Sequence, residues 1–245
     1  MTEKEMKNNL NYLGLTRLCD EYPSFLETAV KKKIPISDFF EQIISTEVEN
    51  KQNRSVSRKI KMAHFPARKT LETFDWTFPK EINEDLVRFL FHLDFVEKKG
   101  NVVFLGPTGV GKTHLMIALG IHACKKGYTV LFDTAADIIN RLSAAQAAGR
   151  ITSALKAFRR PDILCVDEIG YLPIDQMEAN LFFQIISERY EKGSLILTSN
   201  IGFKGWVKVF NNDVALTSAI LDRVLHHCNV ITIDGPSYRL NGANK

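Results

Sequence analysis

The sequence predicts an α/β fold in which a five-stranded parallel sheet is covered by helices, preceded by a small N-terminal helical domain. From residue 100 onward, five short apolar runs alternate with stretches of helical periodicity, the pattern of a parallel sheet buried on both faces. The chain has 245 residues, 45% of them hydrophobic and 24% charged, which is enough to bury a core. The predicted strands are Val102–Leu105, Thr129–Phe132, Ile163–Val166, Ser194–Thr198 and Val230–Ile233.

The N-terminal domain is predicted to span residues 1–70, with the second domain covering 71–245. Lys31–Lys33 suits the C-terminal end of a first helix, where exposed carbonyl groups favour positive charge, and Pro35 then breaks the chain. Asp38 with Glu41 resembles a capping box and predicts that a second helix opens there. The apolar positions that define the first helix are Leu15, Leu18, Tyr22, Phe25 and Ala29.

A basic segment follows, because residues 51–71 contain no acidic side chain. Two interpretations fit this composition: a phosphate-contacting arm, which we favour, and a solvated helix face with a linker. Pro66 ends or kinks the segment. The predicted phosphate contacts are Lys51, Arg54, Arg58, Lys59, Lys61, Arg68 and Lys69.

The connection between the second and third strands is unusually long and is predicted to hold two helices. Their bounds are Asp137–Ala148 and Ile151–Phe158. A single crossover helix would connect two parallel strands, so the second helix is interpreted as an insertion.

The segment Gly106–Thr113 matches the pattern G-x-x-x-x-G-K-[ST] in full, after an apolar strand and at the start of a helix. Its glycines allow backbone N–H groups to surround phosphate oxygens, Lys112 reaches the β- and γ-phosphates, and Thr113 binds Mg²⁺. An ordinary glycine-rich turn is the alternative. The predicted nucleotide contacts here are Gly106, Pro107, Thr108, Gly109, Val110, Gly111, Lys112, Thr113 and His114.

Polar residues follow the third and fourth strands of the predicted core. Asp167 and Glu168 follow Ile163–Val166, where Asp167 would hold Mg²⁺ and Glu168 would deprotonate the attacking water. Asn200 ends another strand and would bind that water or a γ-phosphate oxygen. Helix capping by the acids and a turn role for Asn200 remain alternatives. No Asn-Lys-x-Asp motif follows Asn200, so adenine is favoured over guanine, and the predicted cofactors are ATP and Mg²⁺.

Composition excludes several classes of protein. The net charge of +4 does not by itself require a nucleic-acid partner, and it rules out an acidic disordered chain. No apolar run is long enough for a membrane span, and the charged start does not look like a signal peptide. The four cysteines form no Cys-x-x-Cys pair, which favours free thiols and a cytoplasmic location without a membrane partner.

Together these motifs resemble those of AAA+ ATPases, and four further segments are similar to the IstB-type transposition helpers of the IstB/DnaC group. The resemblance covers essentially the whole chain. The segments are 65–75, 198–206, 220–227 and 235–239.

The resemblance implies further residues and partners. Arg223 matches an arginine finger that acts across a subunit interface, and Arg239 matches a second sensor arginine near the nucleotide. A helix-end ion pair and a surface arginine are the respective alternatives. In the loader branch the inserted helix faces nucleic acid, which adds Arg150 and Lys156 to the DNA contacts, unless they only form a solvated face. The residues 74–79 (the aromatic strap) would pack near the base or simply between domains.

The function expected from this resemblance is an ATP-dependent, largely sequence-nonspecific duplex-DNA-binding ATPase that oligomerises on DNA and assists a cognate transposase. The alternative is a DnaC-like replicative helicase loader acting on single-stranded DNA. Intact Lys112, Glu168 and Arg223 argue against a non-hydrolysing scaffold. The expected trans arginine and the basic segment argue against a small-molecule kinase. Mutation of these three residues separates the possibilities.

Overall fold

The computed structural model describes residues 1–171 and 174–239, and its contacts divide the chain into two units, Met1–Arg58 and Lys59–Lys245. The division falls inside the third helix. None of the helices in the described ranges is both long and apolar enough to cross a membrane.

The first unit consists of helices α1 (Glu3–Tyr12), α2 (Thr16–Lys32) and the greater part of α3 (Ile36–Met62). Lys33, whose φ of 52° lies in the left-handed region, follows the last residue of α2. The helix therefore ends where the run Lys31–Lys33 predicted. The capping box predicted at Asp38 is wrong, because α3 has already begun at Ile36 and the carbonyl of Pro35 accepts the N–H of Phe39.

The segment 59–70 belongs to the second unit by its contacts, whereas the sequence-based boundary lies near residue 70. Ala63 is fully buried, and its carbonyl accepts the N–H of Phe132 at 2.8 Å. Phe65 packs against Phe132 with 6.1 Å between ring centroids and also lies against Gly120. These apolar contacts attach the segment to the edge of the sheet.

The second unit contains a six-stranded sheet in the order β1-β6-β2-β5-β4-β3. The five predicted strands are present and parallel, which confirms the predicted core. The additional strand β1 has two residues and pairs antiparallel with β6. The strands are β1 (Glu81–Ile82), β2 (Asn101–Leu105), β3 (Val130–Thr134), β4 (Ile163–Ile169), β5 (Ser194–Ser199) and β6 (Cys228–Asp234).

Helices cover both faces of this sheet. Successive residues of β2 enter different apolar clusters: Val102 and Phe104 pack with α6, and Val103 packs with the helices of the other face. Both predicted helices of the long connection are present as α7 and α8. The helices of this unit are α4 (Glu84–Leu90), α5 (Asp94–Glu97), α6 (Lys112–Lys125), α7 (Ala135–Ala147), α8 (Ile151–Arg159), α9 (Gln176–Arg189), α10 (Trp206–Val209) and α11 (Val214–Leu225).

Candidate nucleotide-binding site

The loop between β2 and α6 has a backbone that requires glycine. Gly106 has a φ of +150°, and a Cβ atom there would lie 2.0 Å from the carbonyl oxygen of Ile233. Gly111 has a φ of +97°, and its Cβ would lie 2.6 Å from Cε2 of Phe74. Within the described residues α6 begins without a side-chain cap, so the amides of its first turn suit an anionic ligand. The loop therefore has the shape and the electrostatics of a phosphate cradle.

Lys112 is the buried cation of this cradle. Its Nζ donates to the carbonyl oxygens of Gly106 at 2.7 Å and Pro107 at 2.6 Å, which directs the ammonium along the inside of the loop. Burial lowers the pKa of Lys112 from its usual value, and the neighbouring carboxylate of Asp167 opposes that shift. A buried ammonium whose charged form is disfavoured by desolvation is stabilised by an anionic ligand.

Thr113 and Asp167 lie together, as their motifs predict. The Thr113 hydroxyl donates to the Asp167 carboxylate, at 3.0 Å to Oδ1 and 3.1 Å to Oδ2. Asp167 is buried at the end of β4, opposite the first turn of α6. A hydroxyl and a carboxylate are the hard oxygen ligands that Mg²⁺ takes alongside nucleotide phosphates, so these residues fit that ion.

Glu168 projects into the site because the strand is distorted there. Its φ is +64°, in the left-handed region that non-glycine residues rarely adopt, and the pairing of β4 with β5 shifts register between Val166 and Ile169. As a result Asp167 is buried while Glu168 is exposed and lines the cavity. Strained backbone of this kind is concentrated at functional sites.

Asn200 follows the end of β5 and borders the same space. Its Oδ1 is buried and has no hydrogen-bond partner among the residues that the structure describes. A buried amide oxygen without a partner is costly, and it indicates a group that is paired when a ligand is present.

Lys112, Thr113, Glu168 and Asn200 border a cavity of about 590 Å³, a volume suited to a small-molecule ligand. Phe74 and Phe78 of the aromatic strap line it, which favours the base-side interpretation over plain interdomain packing. Several other lining residues were assigned no individual role from the sequence, although most of them lie in the family-like segments or the aromatic strap. They are Pro66, Ala67, Thr73, Asp75, Pro79, Ile117, Tyr171, Thr198 and Tyr238.

A family model described as IstB-like ATP binding protein matches residues 8–245. The chain belongs to this family. It is 42% identical over 241 residues to an ATP-binding protein of insertion sequence IS21 from Pseudomonas aeruginosa, covering 98% of this chain and 91% of that one. It is 40% identical over 237 residues to its counterpart in IS232 from Bacillus thuringiensis subsp. berliner, covering 97% and 94%. The predicted resemblance is thereby confirmed.

Solved structures of similar fold include the DnaC helicase loader, with a TM-score of 0.55, 24% identity, and coverage of 67% of this chain and 96% of that one. The replication initiator DnaA bound to AMPPCP and single-stranded DNA matches with a TM-score of 0.57 and 24% identity, covering 69% and 51%. At this identity the likeness concerns the fold, and the IstB-like chain has the P-loop AAA+ architecture.

In this IstB-like chain Arg239 lines the cavity together with residues of the phosphate cradle of the same chain. The N–H of the preceding residue, Tyr238, donates to the carbonyl of Gly109 at 3.0 Å. His114, in the first turn of α6, also lines the cavity, and its Nε2 is 2.8 Å from the carbonyl oxygen of Thr70. Burial lowers the pKa of His114, which favours the neutral ring that donates this hydrogen bond.

Arg223 lies near the first residue of β2, at the end of the strand opposite to the phosphate loop. The carbonyl of the next residue, Val224, accepts a hydrogen bond from Nδ2 of Asn101 at 2.9 Å, and Asn101 begins the strand whose other end leads into the cradle. The guanidinium lies 4.9 Å above the ring of Phe183 and donates to the carbonyl of Ala219 at 2.9 Å. The structure thus places the backbone beside Arg223 at the opposite end of β2 from the cradle of the same chain.

The predicted DNA contacts occupy different environments. Lys51 and Arg58 are exposed in the first unit, where Arg54 donates to Thr16 Oγ1 at 2.8 Å. In the second unit the Lys59 ammonium donates to the carbonyl of Gly127. The remaining candidates are also exposed: Lys61 near the end of α3, Arg68 and Lys69 at the nucleotide cavity, and Arg150 and Lys156 at α8.

Proposed function

We propose that this protein is an ATPase that assembles on duplex DNA and assists the transposase of an insertion sequence. The main observation behind the proposal is that the residues of the ATPase site lie at opposite ends of the parallel strands. Lys112, Glu168 and Asn200 line one cavity, and Asp167 is bonded to Thr113 at its wall. The backbone beside Arg223 is held at the far end of β2. Relatives described as ATP-binding proteins of insertion sequences support the biological setting.

Within the cavity each side chain has a distinct task. The glycine loop and Lys112 bind the phosphates, and bound Mg²⁺ would supply positive charge to them, held by Thr113 and Asp167. Glu168 accepts a proton from the attacking water, a contribution of roughly 10²–10⁴-fold. Asn200 orients that water or the γ-phosphate through its amide. Phe74 and Phe78 supply apolar surface for the adenine base.

The position of Arg223 supports a finger that acts in trans. From Asn101 to Leu105 the strand rises about 13 Å, so the backbone beside Arg223, which Asn101 bonds at the start of the strand, lies far from the cradle that follows its end. A second copy whose cradle faces this edge receives Arg223 at its γ-phosphate. ATP then stabilises the contact between copies, and hydrolysis weakens it.

Assembly would strengthen DNA binding by repetition of weak contacts. Exposed lysines and arginines contact phosphates without reading sequence, and several copies on one duplex add their contacts through a high effective concentration. We therefore expect binding that depends steeply on salt and little on sequence.

Electron microscopy of the full chain with duplex DNA tests the proposal, with ATP and ADP compared at equal protein concentration. With ATP, we expect both the native chain and the variant Glu168→Gln to form oligomers on duplex DNA. With ADP, we expect these oligomers to be lost. Monomers under every nucleotide condition contradict the proposal. A clear preference for single-stranded DNA together with tight binding to a replicative helicase supports the helicase-loader alternative instead.

A further inference from the structure

Thr198 forms hydrogen bonds to both acidic residues of the site. None of the sequence motifs that predicted the site assigns it a role. It is the fifth residue of β5 and is 1% exposed. Its Oγ1 accepts the backbone N–H of Glu168 at 2.9 Å and donates to Oδ1 of Asp167. One hydroxyl therefore bonds both to the residue that suits Mg²⁺ and to the proposed base.

The bond to Glu168 occurs where the regular ladder between β4 and β5 is interrupted. The register shift removes Glu168 from the ladder, and its backbone stands at a φ of +64°. A left-handed conformation at a non-glycine residue persists only when its surroundings hold it. The Thr198 hydroxyl is the side-chain acceptor that the structure gives to this N–H.

The bond to Asp167 fixes the rotation of the carboxylate. The hydroxyls of Thr198 and Thr113 both donate to it, one from β5 and the other from α6. Since Thr198 has a single hydroxyl proton, its donation to Asp167 leaves its lone pairs for the Glu168 amide. The two bonds are therefore compatible and directional.

We propose that Thr198 is a positioning residue that sets the orientation of Glu168 relative to Asp167, and hence of the attacking water relative to the metal-bound phosphate. This inference rests on the proposed ATPase function. Loss of the hydroxyl leaves the Glu168 amide without its acceptor, so the left-handed backbone relaxes and the carboxylate moves. A displacement of about 1 Å at a catalytic group costs on the order of 10²-fold in rate.

The test compares Thr198→Val, which removes the hydroxyl at nearly constant volume, with Thr198→Ser, which keeps it. Thr217→Val is the matched control, because Thr217 is also 1% exposed and its hydroxyl donates to a backbone carbonyl outside the cavity. Steady-state ATPase rates are measured together with ATP affinity and the Mg²⁺ concentration for half-maximal rate. Thermal unfolding reports stability.

We expect Thr198→Val to lower kcat roughly 10- to 100-fold and to raise the Mg²⁺ requirement, with ATP affinity within about threefold of the native protein. Thr198→Ser should retain most activity, and Thr217→Val should change stability without changing the Mg²⁺ requirement. If Thr198→Val does not fold, Thr198→Ala carries the same expectation.

The variant Glu168→Gln distinguishes a failure of the positioning role from a failure of the proposed base. If Glu168→Gln abolishes hydrolysis while the hydroxyl-free Thr198 variants keep native kcat and Mg²⁺ dependence, the positioning role is refuted and the ATPase proposal stands. If Glu168→Gln hydrolyses ATP at the native rate, the base assignment itself fails. Equal losses in Thr198→Ser and Thr198→Val also refute the inference, because the hydroxyl would then be irrelevant.

Discussion

Replacing Gly106 by alanine should destroy the phosphate cradle while leaving its charged residues in place. The added Cβ would lie 2.0 Å from the carbonyl oxygen of Ile233, in a strand that is fully buried at that point. Relief of this contact requires a shift of roughly 1 Å in a close-packed core. The φ of +150° adds strain of about 1–3 kcal/mol for any residue with a Cβ.

A cradle displaced by about 1 Å should weaken ATP binding on the order of 10²-fold, or about 2.7 kcal/mol. Titration with a fluorescent ATP analogue in the presence of Mg²⁺ measures this. Gly127→Ala is the matched control, because Gly127 has a φ of +100° and the nearest atom to its Cβ is 3.9 Å away. It should lower Tm slightly and leave ATP affinity unchanged. Native ATP affinity in Gly106→Ala, or an equal loss in Gly127→Ala, refutes the steric reasoning.

Three further predictions concern charge. Because burial lowers the pKa of Lys112 below its usual 10.5, ATP affinity should fall as pH rises through the alkaline range below that value; a flat profile in pH titrations contradicts this. Phe183→Leu removes the aromatic ring that contacts the guanidinium of the proposed finger, a cation–π contact worth about 0.5–2 kcal/mol. We therefore expect a two- to thirtyfold lower kcat at unchanged ATP affinity. A native kcat contradicts this prediction. Lys61→Gln should reduce the salt slope of DNA binding by about 1, whereas Lys59→Gln should change it less because that ammonium is bonded to a carbonyl; equal slopes argue against this distinction.

The parallel core could be predicted because each of its strands contains a short, largely apolar run bounded by helical patterns. The strand β1 could not, since Glu81–Ile82 has only two residues and exists through pairing with β6. The domain boundary near residue 70 rested on charge pattern, which does not reveal that Ala63 and Phe65 pack against the sheet. Long-range packing of a few side chains decides such boundaries.

The phosphate loop and the Asp167–Glu168 pair were predictable because contiguous residues carry their chemistry. The position of Arg68 and Lys69 at the cavity was not predictable. Basic side chains suit a DNA contact equally well, and only the fold brings these two to the cavity. Thr198 carries no signal by itself, because a threonine in an apolar strand is ordinary. The role proposed for it rests on the bond that its hydroxyl accepts from the Glu168 amide at the register shift.

The central claim is that one copy of the chain completes the ATPase site of the next. It is tested most directly by mixing Arg223→Ala, which keeps an intact cavity, with Glu168→Gln, which keeps the arginine, and measuring ATP hydrolysis on duplex DNA. Each variant alone should be nearly inactive. In an equal mixture with random neighbours, half of the subunits keep the base and half of those receive an arginine, so activity should recover to about one quarter of the native rate. A mixture that stays as inactive as its components would contradict the account.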